Sequence, residues 1–325
     1  MTVAAVIPHW NRRDLLETLL GSLRLQERAF DEIIVVDNGS TDGSSEAAAR
    51  NGVRVLRLER NLGFAAAVNR GIEACQADWI AILNNDVTLA PDWLCVLLSS
   101  AERQGAWFAA GKLLQAQNPQ VIDGTFDEIS RGACACRCGA GQPDSALWNQ
   151  PRPIRFAPMT AALFRRDLFD QVGLLDERFE SYLEDIDFGL RCAAQGKSGV
   201  YLPGAVASHL GSATLGAWNS DTVFHLARNQ VLLALKHFQA EPRWPMVAGQ
   251  LLWGMLALRH AAGWAWLRGK LCGLKLARVI RGEGIRDQRD RLHATIEASE
   301  HTIFELQQQT GFDWYWRAYF CLLRR

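Results

Sequence analysis

WIAILNND, at Trp79–Asp86, is the stretch that decides the fold: five apolar residues typical of a buried strand, then three polar residues that end on an acid. IIVVDNGS, at Ile33–Ser40, has the same arrangement and places Asp37 directly after its apolar run. In an open α/β sheet, ligands bind at the carboxyl edge of the strands. One acid at the end of each of two parallel strands therefore predicts a nucleotide site at that edge.

The first hundred residues alternate between the patterns of strands and helices. Strands are predicted at Val3–Ile7, Glu32–Val36, Val53–Leu58 and Trp79–Leu83. Helices are predicted at Arg13–Leu25, Ser44–Asn51, Ala65–Cys75 and Asp92–Gln104. Alternation at this spacing predicts an α/β fold with a doubly wound, mostly parallel sheet.

The remainder of the chain changes character twice. Residues 115–157 are rich in Gly, Pro, Gln and Cys and lack periodicity, which predicts a long irregular loop or a short β-ribbon. Regular elements are then predicted at Met159–Phe164 (strand), Arg166–Gly173 (helix), Tyr182–Gln195 (helix), and Gly199–Leu202 and Ala205–Ser208 (strands). Residues 220–325 are predicted to be almost entirely helical, as a C-terminal extension of the sheet domain.

Composition narrows the class of protein. The 325 residues are 49% hydrophobic and 22% charged, enough to bury a core, and the formal net charge of zero argues against a nucleic-acid partner. The N-terminus has no basic region before its first apolar run, so no signal peptide is expected. The eight cysteines are then expected to be free thiols. The cluster at Cys134, Cys136 and Cys138 lacks the C-x-x-C spacing and fourth ligand typical of zinc sites.

YLEDID, at Tyr182–Asp187, places three carboxylates in the first turn of a predicted helix. Carboxylates there can grip a divalent metal or take a proton from a nucleophile. Two polar turns, at Gly39–Ser44 and Asn61–Phe64, contain glycines that would let backbone amides approach a phosphate. Neither turn matches the Walker or the dinucleotide-binding pattern, and each is also compatible with an ordinary strand-to-helix turn.

Considered together, these segments resemble glycosyltransferase family 2, the inverting GT-A glycosyltransferases, over roughly residues 3–235. The motifs that carry the resemblance, in chain order, are VIPHWN (6–11), VVDNGSTDG (35–43), RNLGF (60–64), NRG (69–71), LNND (83–86), FESYLEDIDF (179–188), SH (208–209) and ARN (227–229). The NND and EDID forms and the late Arg-Asn pair are most similar to the branch of bacterial rhamnosyltransferases and galactofuranosyltransferases.

The resemblance implies a role for each matching position. The implied donor-binding residues are Pro8, Trp10, Asn11, Asp37, Asn38, Asn61, Gly63, Asn69, Asn84, Asn85 and Arg228. Asp185 corresponds to the catalytic base, with Glu184 beside it. Asp86 and His209 correspond to ligands of a divalent metal, Mg²⁺ or Mn²⁺. The family's first metal-binding acid is replaced by Asn84, which leaves one carboxylate, diphosphate oxygens and water to satisfy the metal.

Simpler interpretations of three of these residues stay open. Glu184 is also explained as a helix N-terminal charge, and His209 as a surface histidine. Asp187 is also explained as a helix cap or as a partner of Arg191 at i+4.

The function implied is transfer of a sugar, with rhamnose as one candidate, from a nucleotide-diphospho-sugar to a hydroxyl of a glycan or lipid-linked glycan in bacterial surface-polysaccharide assembly. A sugar-nucleotide nucleotidyltransferase is the first alternative, but it would need a glycine-rich, basic loop near the first strand, which His9–Arg13 does not supply. The second alternative is a non-catalytic glycan-binding relic of the fold.

The resemblance also divides the chain. Residues 1–235 are expected to form the catalytic domain, with a nucleotide-sugar half at about 1–110 and an acceptor half at about 111–235. Residues 236–325 form a helical extension, and 241–325 hold 13 Lys and Arg against 8 Asp and Glu.

The thirteen apolar residues Met246–Leu258 in the extension are too few to span a bilayer. With the Trp and basic residues that follow, through Lys275, Arg278 and Arg281, they suit peripheral contact between 246–281 and the inner face of the cytoplasmic membrane. A packing or dimerisation element is the alternative.

Overall fold

The structure, a computed structural model, describes residues 1–50, 52–211, 218–276 and 288–323, which fall into two compact units. The first unit comprises Met1–Phe126, Gly139–Phe188 and Lys197–Gly211. The second comprises Asp127–Cys138, Gly189–Gly196 and the described residues after 211. The division into catalytic and appended domains at residue 235 is a functional one and stays a prediction.

The first unit contains most of the strands. Its elements are β1 (Val3–His9), α1 (Arg13–Arg24), β2 (Glu32–Asp37), α2 (Ser44–Arg50), β3 (Arg54–Arg57), α3 (Phe64–Ala74), β4 (Trp79–Leu83), β5 (Val87–Leu89), α4 (Trp93–Gln104), β6 (Phe108–Gln115) and β7 (Asn118–Gly124). After β8 (Asp127–Ile129) and β9 (Ala135–Arg137) of the second unit come β10 (Arg152–Ile154), β11 (Ala161–Arg165), α5 (Arg166–Val172), α6 (Glu184–Ala194) and β12 (Gly199–His209). Single 3₁₀ turns form at Ala146–Trp148 and Glu177–Phe179.

The central sheet confirms the predicted fold class. Its strand order is β10-β12-β6-β11-β4-β1-β2-β3, with β5 added beside β12 and β7 beside β6. In this described path, β3, β2, β1, β4, β6 and β12 point the same way, while β11 and β10 run against them. The sheet is therefore mostly parallel along its main path, and β11 is the antiparallel strand that joins its two parallel parts.

The parallel strands bring their polar ends to one edge. β4 is buried along its whole length, as expected of a strand covered by helices on both faces. The register pairs His9 at the end of β1 with Asp37 at the end of β2. β1 also pairs with β4, which ends immediately before Asn84. The predicted site residues that follow these three strands are consequently neighbours at the carboxyl edge.

The prediction for residues 115–157 was partly wrong. The alternative of a short β-ribbon holds for β8 and β9, but β7 and β10 join the central sheet. The side chains of Phe126 and Trp148 are buried, so much of this segment belongs to the core. Its strands other than β7 are only three residues long, too short to leave a periodic signal.

Two further strands differ from the sequence prediction. No element was predicted at β6, because its sequence FAAGKLLQ contains glycine and a lysine. Lys112 is nevertheless buried there and donates to Asp144 at 2.7 Å. The two segments predicted at 199–202 and 205–208 are one strand, β12, with a register shift between Tyr201 and Val206.

The second unit is mainly helical, as predicted for the described parts of 220–325. It contains β8, β9, the part of α6 from Gly189 onward, and the helices α7 (Ser220–His237), α8 (Arg243–Arg259), α9 (Gly263–Lys275), α10 (Arg289–Thr310) and α11 (Trp314–Leu323). Helices α7 and α9 pack closely because Gly269 and Gly273 face the α7 backbone: a Cβ on Gly269 would lie 2.4 Å from the Phe224 carbonyl oxygen. Among the described residues, no helix is long and apolar enough to cross a membrane.

Candidate active site

The loops after β2 and β3 are joined by one buried amide. The Asn38 side chain donates to the side-chain oxygen of Asn61 and to the Gly63 carbonyl, each at 3.0 Å, and accepts from the Leu62 N–H at 2.8 Å. Gly39, with φ of 79°, lets the loops approach, because a Cβ there would lie 2.7 Å from the Arg60 Cα. Three of the predicted donor-binding positions, Asn38, Asn61 and Gly63, are therefore connected by one set of hydrogen bonds.

The loop after β1 is tied to the loop after β2. The Asn11 backbone N–H donates to the Ser40 hydroxyl at 2.7 Å, and the Asn11 side chain accepts from the Thr41 N–H at 3.0 Å. Buried Asp37 accepts from the Ser40 N–H at 2.8 Å. Trp10 keeps 44% of its surface exposed, so its ring is available to a ligand at this edge. Pro8 is the last residue but one of β1.

The start of α3 connects these loops with the acidic motif. The Ala65 N–H donates to the Glu180 carbonyl at 2.9 Å, and a Cβ on Gly63 would lie 2.7 Å from that same oxygen. Asn69, buried in α3, exchanges hydrogen bonds with the Leu175 backbone and also donates to Glu177. Asn69 thus supports the segment that leads to α6, and its predicted contact with the donor stays a prediction.

The backbone before the acidic motif is held in an uncommon conformation. Glu180, Tyr182 and Leu183 have φ values of 60°, 72° and 67°, in the left-handed region. For residues with a side chain this conformation costs about 1–2 kcal/mol per residue. Strain of this kind persists only where the surroundings impose it, and it clusters at functional sites. It sets the direction from which the chain enters α6 at Glu184.

The three carboxylates of the motif differ in burial. Glu184 and Asp187 are buried, whereas Asp185 is only partly buried and accepts from the Ile186 N–H at 2.8 Å. Burial, followed by the charges of Asp185 and Asp187, raises the pKa of Glu184 well above its usual range. One Glu184 oxygen is buried without a hydrogen-bond partner. Glu184 is thus a buried acid in the first turn of α6, and Asp185 is the most exposed of the three carboxylates. Their roles stay predictions.

His209 lies between two carboxylates at the end of β12. Its Nδ1 is 2.8 Å from an Asp123 oxygen, and its Nε2 is 3.3 Å from Asp86 Oδ1. Burial opposes protonation, but the hydrogen bond with Asp123 and the charges of Asp86 and Asp123 outweigh it and raise the pKa of His209 to about 9. His209 is therefore not a surface histidine: its side chain is buried and oriented by two acids.

The polar residues after β4 are also held in place. The Asn84 N–H donates to the Thr160 carbonyl at 2.9 Å. The Asn85 side chain contacts Nδ1 of His9 at 2.9 Å. Burial lowers the pKa of His9, against the opposing charges of Asp37 and Asp42. A neutral His9 thus connects the end of β1 with the residue beside Asp86.

Arg228 is the predicted donor-binding residue that lies apart from this group in the chain. It belongs to α7 in the second unit, where it is buried and donates to the Asn229 side chain at 3.2 Å. Its role toward the donor stays a prediction.

The pair Asp86 and His209 fits a divalent cation. Asp86 Oδ1 is buried without a hydrogen-bond partner, beside the His209 nitrogen that faces it. A carboxylate oxygen and an imidazole nitrogen are both ligands of Mn²⁺, and Mg²⁺ accepts sites with one or two carboxylates when substrate phosphates complete the shell. Within the described residues no group of three or more His, Cys, Asp or Glu side chains could hold a metal alone. A cation here would depend on ligands from the substrate.

Sequence reasoning missed His9 and Asp123. His9 had a signal, because it ends β1 in register with Asp37. Asp123 had none, since it lies 86 residues from His209 in a segment without periodicity.

The chain is similar in sequence to known proteins. The sequence model of glycosyl transferase family 2 matches residues 4–173. An N-acetylglucosaminyl-diphospho-decaprenol L-rhamnosyltransferase from Mycobacterium tuberculosis is 32% identical over 275 residues, which cover 75% of this chain and 87% of the relative. The O-antigen biosynthesis protein RfbC from Myxococcus xanthus is 30% identical over 215 residues, 60% of this chain and 16% of RfbC.

Solved structures share the fold at low sequence identity. GalNAc-T7, crystallised with UDP, GalNAc and Mn²⁺, aligns with a TM-score of 0.66 at 12% identity, covering 96% of this chain and 58% of that one. The mannosyltransferase PcManGT from Pyrobaculum calidifontis, in complex with GDP-Man and Mn²⁺, aligns with a TM-score of 0.55 at 17% identity, covering 98% of this chain and 85% of that one. This chain therefore spans little more than half of GalNAc-T7.

Proposed function

This chain belongs to glycosyltransferase family 2, and we propose that it transfers a sugar from a nucleotide-diphospho-sugar to a hydroxyl of a lipid-linked glycan. The observation that carries the proposal is the burial pattern of the acidic motif. Asp185 is the partly exposed carboxylate between two buried ones, at the start of a helix whose preceding turn is bonded to the predicted donor loops. A general base needs this combination of access and fixed position.

Asp185 accepts the proton of the acceptor hydroxyl as the hydroxyl oxygen attacks the anomeric carbon and the bond from that carbon to the nucleotide diphosphate breaks. Because a single displacement from the face opposite the leaving group inverts that carbon, no covalent enzyme nucleophile is required. The raised pKa of Glu184 favours its neutral form, which lessens the negative charge beside the base. The donor loops bind and orient the nucleotide, with Trp10 offering a ring face and Asn38 holding the loops together.

Asp86 and His209 would hold a divalent cation, Mg²⁺ or Mn²⁺. When bound, such a cation neutralises the charge on a diphosphate leaving group. Asp123 fixes the His209 ring so that Nε2 faces Asp86. The absence of an acid at position 84 is compatible with this arrangement, because the diphosphate itself supplies oxygen ligands.

The relatives guide the choice of substrates. The mycobacterial relative is named a rhamnosyltransferase that acts on N-acetylglucosaminyl-diphospho-decaprenol, and RfbC is named for O-antigen biosynthesis. We accordingly favour a deoxyhexose such as rhamnose as the sugar and a polyprenyl-diphosphate-linked glycan as the acceptor, at the cytoplasmic face of the membrane. Residues 1–235 would supply catalysis, and the helical extension would bring the protein to its acceptor.

A panel of nucleotide-sugars tests the donor. The purified full chain is incubated with UDP-, GDP- and dTDP-sugars with Mn²⁺ or Mg²⁺, and free nucleotide diphosphate is measured. We expect hydrolysis of one donor, with dTDP-rhamnose the first candidate, and acceleration by polyprenyl-diphospho-N-acetylglucosamine. No turnover of any donor, with or without the acceptor, would favour the glycan-binding relic.

Asp86→Ala tests the metal ligand. We expect at least a hundredfold loss of donor turnover, because several kcal/mol of charge stabilisation are removed and each decade of rate corresponds to about 1.4 kcal/mol. EDTA should abolish turnover by the unaltered protein and added Mn²⁺ should restore it. Full activity in EDTA would refute the metal role.

A further inference from the structure

Helix α8 has an unusual distribution of residues: its exposed face is apolar. The exposed residues between its two ends are Trp244, Val247, Leu251, Met255 and Leu258. They recur at intervals of three or four residues, which places them on one face of a helix. The opposite, buried face is built largely from small residues such as Ala248, Gly249 and Ala257. A helix on a soluble protein surface normally has the reverse pattern.

Helix α9 repeats this inversion. Its exposed apolar residues are Trp264, Leu267, Leu271 and Leu274, and its buried positions are Ala265, Gly269 and Gly273. The start of α9 lies against the end of the exposed row of α8, because a Cβ on Gly263, the neighbour of Trp264, would lie 2.3 Å from a Leu258 methyl group. We refer to these nine exposed side chains of α8 and α9 as the apolar face.

The charge around the apolar face has one sign. Residues 242–282 contain no Asp or Glu. The exposed charged residues of α8 and α9 are all basic, namely Arg243, Arg259, Arg268 and Lys275. The other two arginines predicted from the sequence to contact the membrane, Arg278 and Arg281, lie outside the described residues. Basic side chains around tryptophans and leucines match an anionic lipid surface, in which headgroups meet the charges and acyl chains receive the rings.

We propose that the apolar face docks the protein onto an anionic lipid bilayer, with α8 and α9 lying in the interface. The length of the helices excludes spanning, since no described helix is long and apolar enough to cross. A contiguous exposed apolar patch marks an interaction site more often than a free surface. The inference stands on this surface alone and does not depend on which sugar the enzyme transfers.

Vesicle flotation of the full chain tests the docking. The protein should float with vesicles of phosphatidylglycerol and phosphatidylcholine at low salt, and much less with phosphatidylcholine alone or at high salt. Leu251→Glu combined with Met255→Glu places two acids on the apolar face and should remove flotation. Leu25→Glu is the matched control, because Leu25 is an exposed leucine at the end of α1 in the first unit. It should float like the unaltered protein.

A second set of variants tests the charges. Arg243→Gln, Arg259→Gln and Lys275→Gln together should weaken vesicle binding about a hundredfold, at about fivefold per basic residue. Arg24→Gln, Arg50→Gln and Arg103→Gln remove the same net charge from exposed positions of the first unit and should change binding far less. Equal losses in both triple variants would overturn the proposal, because nonspecific attraction would then suffice.

Folding and self-association complete the test. The variant with Leu251→Glu and Met255→Glu should match the unaltered protein in donor hydrolysis and in circular dichroism. Its loss of flotation is then not caused by a loss of fold. A failed hydrolysis assay with intact flotation would refute the proposed donor and leave the docking supported. Sedimentation velocity without lipid tests whether the apolar face instead binds a second copy of this chain. That alternative would be shown by a dimer that Leu251→Glu and Met255→Glu abolish, together with no flotation of the unaltered protein.

Discussion

The candidate active site and the apolar face are opposite departures from the usual distribution of polar and apolar residues. At the site, Glu184, Asp187 and His209 are removed from water. On the apolar face, side chains such as Leu258 and Trp264 are 68% and 69% exposed. Ionisable groups are seldom fully buried, and large contiguous apolar surfaces are seldom left in water. Departures of this kind are expected where a protein binds something, which is the role that we propose for both regions.

The largest effect expected at the site is that of Asp185→Asn. Asparagine keeps the size of the side chain but cannot accept the proton, so transfer should fall about 10²–10⁴-fold with donor affinity nearly unchanged. Donor affinity is measured by calorimetry and transfer by product formation. Asp187→Asn is the control: Asp187 is buried in the same turn, and we expect this variant to keep its transfer activity. Normal transfer by Asp185→Asn together with an inactive Glu184→Gln would move the base to Glu184.

Asp123→Asn tests whether Asp123 positions His209 as a metal ligand. Asp123 holds the His209 ring through Nδ1, so its loss should weaken Mn²⁺ binding about 10–100-fold, the usual cost of removing a carboxylate behind a ligating histidine. Calorimetry with Mn²⁺ gives the affinity. NMR titration of the metal-free variant should also show the pKa of His209 falling from about 9 toward its ordinary value.

Asp144→Asn is the control for this comparison, because Asp144 binds Lys112 elsewhere in the first unit. Unchanged Mn²⁺ affinity in Asp123→Asn would show that Asp123 does not position His209.

The fold was predictable where hydrophobic patterns are local. The alternation from β1 to α4 follows from apolar runs and their spacing, and the strand-end rule placed Asp37 and Asp86 at one edge. β6 was not predictable, because its buried Lys112 is satisfied by Asp144, 32 residues away. The same limit applies to the pairing of Asp123 with His209, since long-range polar contacts leave no periodic trace in the sequence.

The apolar face shows a related limit. The Trp and Leu content of the extension indicated an interface, but residue spacing alone could not tell which side of α8 is buried. The glycines decide it: a Cβ on Gly249 would lie 2.9 Å from the Gly132 Cα, so that side must face the protein. The apolar residues are left on the exposed side.

Glu184→Gln should stabilise the protein, in contrast to most substitutions of buried residues. Burial raises the pKa of Glu184, so the stability present below the ordinary pKa of a glutamate is lost as pH rises through the raised value. Glutamine does not ionise, so the gain in Tm over the parent should grow from none at pH 4 to its largest at pH 8. Thermal unfolding at both pH values measures this. Glu59→Gln, at an exposed position, should show no such pH-dependent gain.

Leu251→Gln should have the smallest effect on stability. It distinguishes most directly the apolar face from the buried side of α8 and α9. Leu251 is exposed, so its replacement by a polar residue should change the free energy of unfolding by no more than about 0.5 kcal/mol in lipid-free solution. Gly269→Ala, on the buried side of α9, should cost about 1–3 kcal/mol because its new methyl group would collide with the Phe224 carbonyl. Urea unfolding of both variants gives the comparison. A loss of 2 kcal/mol or more in Leu251→Gln would mean that the apolar face is part of the folded core in solution, and that its exposure to a bilayer is not its function.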